Sequence, residues 1–201
     1  MSRPTPQQDR SRITVEKILA AANLEFAARG SAAATTTQIA DRAGVSVGAL
    51  YRFFPDKQAI GLALGERYLV DATARFEPLL SGIDSLDAVP TALGAIVHAA
   101  ADLALDHPGY YQLTREVAPG NDGSAGAVVR SALVDVFDQL IGRLGARPDP
   151  RRRVVITLVI ETVRHTLATY PATEPDRSTI VHELADMVVT YARLRLVPDP
   201  S

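Results

Sequence analysis

An all-α fold is what this sequence predicts, and three observations predict it. Apolar residues recur at spacings of three and four along most of its 201 residues, which is the period of one helix face. Gly, Pro and short polar residues fall between those stretches, where helices start and stop. No stretch alternates apolar and polar residues as a half-buried strand would, and no segment repeats or falls to low complexity. Hydrophobic residues make up 47% of the chain, enough for a substantial core, and the length suits one large domain or two small ones.

The first helix is expected over about Ser11 to Arg29. Val15, Ile18, Leu19, Ala22 and Phe26 make one apolar stripe, and Gly30 ends it. Two short helices follow. Thr36 or Thr37 supplies a hydroxyl cap for the first, with Ile39 and Ala40 turned inward. Gly44 ends that helix, because glycine accepts the left-handed conformation of a helix terminus. Ser46 caps the second, about Val47 to Phe53, with Val45 and Leu50 inward. Two short helices joined by a turn of roughly three to four residues with Gly form a helix-turn-helix, and in that motif the second helix enters the DNA major groove.

Asp56 caps a long helix from Lys57 to about Leu80, its carboxylate at the positive end of the helix dipole. A turn at Gly82 to Ser85 leads to a helix from about Asp87 to Asp106, with Pro90 tolerated in its first turn. His107-Pro108-Gly109 breaks the chain before a short helix carrying Tyr110 and Tyr111. Pro119 to Gly123 is a loop. Helices are then expected over about Ser124 to Leu144, from the Asp149-Pro150 cap to about Tyr170, and from beyond Pro175 to before Pro198. The last two carry apolar residues on more than one face, so each is expected to be covered on more than one side.

Charge is divided unevenly. The net charge is −2 overall, yet residues 1–57 hold eight Lys or Arg against five acids. That modest excess sits beside the helix-turn-helix, where phosphates would lie. There is no cysteine, which removes disulfides and thiolate metal sites. The four histidines lack metal-ligand spacing in the sequence, so no metal and no cofactor are expected. The apolar run from Val154 to Ile160 is far too short to cross a membrane, and the polar N-terminus has no signal-peptide stretch. A soluble cytoplasmic protein without a membrane partner is the expectation.

Thr36-Thr37, Ile39-Ala40, Ala43-Gly44-Val45-Ser46, Gly48, Leu50-Tyr51, Phe54 and Lys57 stand at fixed spacings. Together they resemble the signature of the tetracycline-repressor (TetR) family of bacterial transcription regulators, over roughly residues 12 to 60. The resemblance implies a three-helix DNA-binding domain with its helix-turn-helix in residues 1–57. It implies a helical ligand-binding and dimerisation domain in residues 58–201. It further implies a homodimeric regulator, a repressor that binds a pseudo-palindromic double-stranded DNA operator and is released by a small-molecule effector. Carried over position by position, Ser46, Val47, Gly48 and Ala49 would face base edges. Tyr51, Lys57, Thr36 and Thr37 would contact phosphates, Arg52 phosphate or base, and Arg10 and Arg12 the backbone from the N-terminal arm.

In such a family the effector pocket lies among the middle helices. A pocket needs apolar walls and a few polar handles. Tyr68, Phe76, Tyr110, Tyr111 and Phe137 are candidate walls, and His98, Arg115, Arg164 and His165 candidate handles. The last helix pair would form the dimer interface, with Val155, Val159, Val163, Leu184, Val188 and Tyr191 as its apolar residues.

Two other readings compete. Gly44-Val45-Ser46-Val47-Gly48 spells the G-x-S-x-G elbow of serine hydrolases, but that elbow needs a strand before the serine, and Thr36 to Ala43 is polar and helix-like. A helical interaction module without DNA binding is the other.

Overall fold

Side-chain caps show why α2, α3, α4 and α8 begin where they do. The computed structural model describes residues 6–115, 125–171 and 173–197. Among these, every regular element is a helix: α1 Pro6–Ala33, α2 Thr36–Ala43, α3 Val47–Phe53, α4 Lys57–Ser81, α5 Val89–Asp106, α6 Pro108–Arg115, α7 Ala125–Arg143, α8 Pro150–Thr169 and α9 Arg177–Leu196. A single 3-10 turn, Leu86–Ala88, precedes α5. Asp56 accepts from the amide of Ala59 at 2.8 Å and starts α4. Asp149 accepts from the amide of Arg151 at 2.8 Å, with Pro150 in the first position of α8. α1 is longer than expected. The chain turns within it at Gly30, whose φ is 76°, and one further helical turn follows.

The described residues form two compact units. The first holds residues up to Arg67 together with His107 onward to Gly126, and the second holds 68–106 and 127 onward. The expected boundary after residue 57 therefore differs from the division seen here. α4 contributes its first turns to one unit and the remainder to the other, and α6 belongs with the N-terminal helices.

In the first unit, Ile18, Ala22, Phe26, Ile39, Ala40, Leu50 and Ile60 are completely buried in one cluster drawn from α1, α2, α3 and α4. Burying a side chain of that size stabilises by roughly 1.5–3 kcal/mol, so this cluster sets the mutual placement of the short helices. α6 packs on α1 at very close range. The amide of Gly109 donates to Asn23 Oδ1 at 2.9 Å, and a Cβ on Gly109 would stand 2.1 Å from the Asn23 carbonyl oxygen. Only glycine permits that approach.

In the second unit α5 is the central helix. Val89, Leu93, Ile96, Val97, Ala100, Ala101, Leu103 and Ala104 are all buried along it, and α5 packs on α9 and α8. By length and composition α5 is apolar enough to cross a membrane, but 56% of that stretch is buried in this unit. α5 is buried along most of its length within this unit, while α8 and α9 each bury one side there. α8 buries Val155, Ile156, Leu167 and Ala168 while Val154 and Leu158 remain 59% and 52% exposed. α7 and α8 are tied by Asp138, which accepts from Arg152 Nε at 2.6 Å and from Arg153 at 3.2 Å. Those two guanidiniums, Arg152 foremost, hold the Asp138 carboxyl below the ordinary aspartate range against the opposing effect of burial.

Candidate nucleic-acid interface

The helix-turn-helix is built from three local devices. Thr35 caps α2: its Oγ1 accepts from the amide of Gln38 at 3.2 Å, and Gln38 Oε1 accepts from the amide of Thr35 at 2.9 Å. This reciprocal capping box moves the expected cap at Thr36 or Thr37 one residue earlier. Gly44 ends α2 in the left-handed conformation (φ 68°), its N–H returned to the carbonyls of Ala40 and Asp41. Ser46 then caps α3 by accepting from the amide of Ala49 at 3.1 Å. The seryl hydroxyl that a hydrolase would use as nucleophile is thus a helix cap, and a helix stands where the elbow needs a strand.

Burial divides α3 into an inner and an outer face. Leu50 is fully buried. Ser46, Gly48, Tyr51 and Arg52 are exposed, and Val47 and Ala49 half-buried. A Cβ on Gly48 would meet nothing within 4 Å, so the chain itself does not require glycine there. Tyr51, 49% exposed, pairs its hydroxyl with Thr36 Oγ1 at 3.0 Å. One bond therefore joins the start of α2 to the middle of α3 and places two hydroxyls together. Thr37 is exposed beside them. The guanidinium of Arg52 stands 5.8 Å from the centre of the Phe53 ring, within cation–π range. Arg10 is exposed on α1, and Arg12, Glu16 and Lys17 of that helix line an open groove with Arg67 of α4.

Lys57 engages the chain's own backbone. Its ammonium donates to the carbonyls of Ser31, Ala34 (2.9 Å) and Ala32 (3.3 Å). A lysine has three donors, and all three are turned onto the chain segment between α1 and the α2 cap. Lys57 pins the start of α4 to the entrance of the helix-turn-helix.

A second tie was only partly legible in the sequence. Glu25 on α1 is 4% exposed and accepts from Arg42 of α2 at 2.6 Å and from Arg29 at 2.8 Å. Arg42 first, then Arg29, hold its carboxyl below the ordinary glutamate value of 4.5. The Glu25–Arg29 spacing is legible as an i, i+4 pair; the partner 17 residues away is not.

The remaining candidates fall in different places. Tyr110 and Tyr111 are buried in the first unit, stacked edge to face at 5.7 Å. Tyr68, Phe76 and Phe137 are buried in the second. His98 and His165 are exposed, and Arg164 is half-buried and paired with Glu161. The Arg115 side chain lies outside the described residues. Of the six interface candidates, Val155, Leu184 and Val188 are buried within the chain's own second unit, whereas Val159, Val163 and Tyr191 are half-buried. The exposed apolar residues on these two helices are Val154, Leu158, Met187 (49%) and Leu194 (73%).

Comparison with known proteins agrees with this geometry. Residues 18–64 match the model of the bacterial regulatory proteins of the tetR family. A search of the curated proteins found no match. Among solved structures, a TetR-family transcriptional regulator from Streptomyces coelicolor is 26% identical, with 89% of this chain and 96% of that one covered at a TM-score of 0.66. A putative TetR-family regulator from Syntrophomonas wolfei is 13% identical over 94% and 97%, TM-score 0.71. The FadR regulator of Bacillus subtilis, solved with stearoyl-CoA, is 16% identical over 88% and 96%, TM-score 0.70.

Proposed function

We propose, from the premise that this chain belongs to the tetR family of bacterial regulatory proteins, that it is a cytoplasmic homodimeric repressor. It is a DNA-binding regulator and not an enzyme. Two copies of α3 would read a pseudo-palindromic operator whose half-sites stand one helical turn, roughly 34–36 Å, apart. A small-molecule effector would release it, as a ligand the size of the stearoyl-CoA held by B. subtilis FadR could do. Release follows if the effector favours a spacing of the two DNA-binding units that no longer matches the operator. Moving a population from mostly bound to mostly free takes about 5 kcal/mol of differential affinity.

The observation that carries this reading is the outer face of α3. Ser46, Val47, Gly48 and Ala49 offer a nearly bare helix edge. Val47 and Ala49 can touch thymine methyls, and the absence of bulk brings the backbone close to the base pairs. The Thr36–Tyr51 hydroxyl pair and Thr37 stand beside that edge, and hydroxyls of this kind commonly bind phosphate oxygens. For the dimer, the support is the uncovered apolar surface of α8 and α9. Val154 and Leu158 are four residues apart on one face of α8, and Met187 and Leu194 are seven apart on α9, so each pair forms a stripe.

The direct test is a mobility-shift assay on the DNA flanking the chain's own gene, across a salt series. Saturable binding that weakens steeply with salt, and that is relieved by a cell extract, is the expected result. Absence of salt-dependent binding would favour a helical interaction module instead.

A further inference from the structure

His98 on α5 and His182 on α9 are 84 positions apart in the sequence, yet their rings meet edge to face with centres 5.0 Å apart. We propose that these two imidazoles form a clip for one divalent first-row transition-metal ion, with water completing the coordination. This site is separate from the DNA-binding face, and the inference does not rest on the proposed regulatory function.

The spacing is the first argument. With metal–nitrogen bonds of about 2.0–2.1 Å, a tetrahedral angle of about 109° and ring nitrogens about 1.1 Å from their ring centres, two imidazoles on one ion stand about 5 Å apart, centre to centre. The observed separation is that distance. Both side chains are exposed, so the His98 ring can turn about its Cβ–Cγ bond to meet an ion held by His182, and the ion can reach the pair from solvent.

The protonation pattern is the second. His182 Nδ1 lies 3.1 Å from the carbonyl oxygen of Ser178. A carbonyl only accepts, so in this contact Nδ1 is the donor, and Nε2 is the nitrogen left to bind an ion. A ring N–H held by a backbone carbonyl is the usual support of a metal-bound histidine, because it fixes tautomer and orientation.

The scaffold is the third. α5 and α9 are locked together on both sides of the pair. One turn towards the start of α5, a Cβ on Gly94 would stand 2.8 Å from Val189 Cγ2, so the helices approach there as closely as side chains allow. Towards its end, Arg177 donates to the Ala101 carbonyl at 2.9 Å. Two imidazoles presented by two fixed helices lose little freedom when an ion joins them. Among the described residues no third His, Asp or Glu joins them into a larger ligand group. The site is therefore open and weaker than a closed four-ligand zinc site, and its preference follows the imidazole order, Cu²⁺ above Ni²⁺ and Zn²⁺, with Mg²⁺ excluded.

The test uses the full chain without a histidine tag. Ni²⁺, Zn²⁺ and Mg²⁺ are each titrated by calorimetry and thermal unfolding, on the parent and on His98→Ala, His182→Ala and His165→Ala. The last removes an exposed histidine on another helix. The expected result is one Ni²⁺ or Zn²⁺ per chain, a chelator-reversible rise in Tm of roughly 3–8 °C at saturating metal, and no effect of Mg²⁺. His98→Ala and His182→Ala should each weaken binding at least about tenfold, with unchanged far-UV circular dichroism, while His165→Ala binds as the parent does. No saturable binding by the parent, or binding undiminished in either of the two clip variants, overturns the proposal.

Discussion

Gly48 has open space where a side chain would stand, and this makes it the most informative single residue on α3. Glycine costs a helix up to about 1 kcal/mol relative to alanine, and nothing in the chain repays that cost. Gly48→Ala should therefore leave thermal stability unchanged or slightly raised, while operator affinity in a shift assay falls because, on the proposed function, the added methyl would stand between α3 and the base edges. An unchanged affinity would mean that DNA does not approach Gly48. Lys57 poses the opposite problem. Its charge suggested a phosphate contact, but its ammonium is spent on three backbone carbonyls. Lys57→Gln should lower stability by about 1.5–3 kcal/mol, the worth of a hydrogen bond to a charged group. It should weaken DNA binding with no change in the slope of log K against log salt. A slope shallower by about one would instead restore the phosphate contact. The residue type of Lys57 was legible in the sequence, but its partners, 23 to 26 positions away, were not.

At the scale of elements, the caps were the readable part. Ser46, Asp56, Asp149 and Gly44 occupy the roles their chemistry suggests, because a cap is satisfied within a few residues of chain. Thr35 displaced Thr36 because only Thr35 has Gln38 three residues on, which completes the capping box. Packing between elements carried no such local mark. The Gly109–Asn23 approach joins α6 to α1 backbone to backbone, so Gly109→Ala is expected to cost at least about 3 kcal/mol, more than ordinary overpacking, because backbone cannot yield as a side-chain tip does. Chemical denaturation measures it. The ion ties between elements predict an acid limb. Glu25 and Asp138 both have carboxyls lowered in the folded state by Arg partners. Each contributes stability that is fully present above its ordinary value and is lost as pH falls through the lowered one. The urea midpoint should hold steady from pH 7 to pH 5 and fall below about pH 4.5. Glu25→Gln should lower the plateau and make the fall shallower.

For the whole molecule, the open question in a single chain is what covers α8 and α9. The apolar residues of these two helices fall on different sides once the helices pack, and half of the six expected at the interface, Val159, Val163 and Tyr191, stay half-buried. Val155, Leu184 and Val188 went into the chain's own core, and Val154, Leu158, Met187 and Leu194 stayed outside. Leu158→Glu should leave the helical content intact and convert a dimer to a monomer in light scattering, with operator affinity lost at the same time. A variant that stays dimeric would move the interface elsewhere. The candidate pocket residues show the same limit of pattern reading: aromatic side chains on apolar helices mark burial, and burial serves core and pocket alike.

The amino-acid order by itself determined the helices, their caps and the bare outer edge of α3, because these depend on residues within one or two turns of each other. Tertiary structure alone decided that α5 is the central helix, that Glu25 bridges two helices through arginines, that Lys57 meets the carbonyls of Ser31 and Ala34, and that His98 meets His182. Each of these is a contact between segments far apart in the chain. Such a contact is chosen by the free energy of packing the whole unit, and periodicity along one helix holds no record of it.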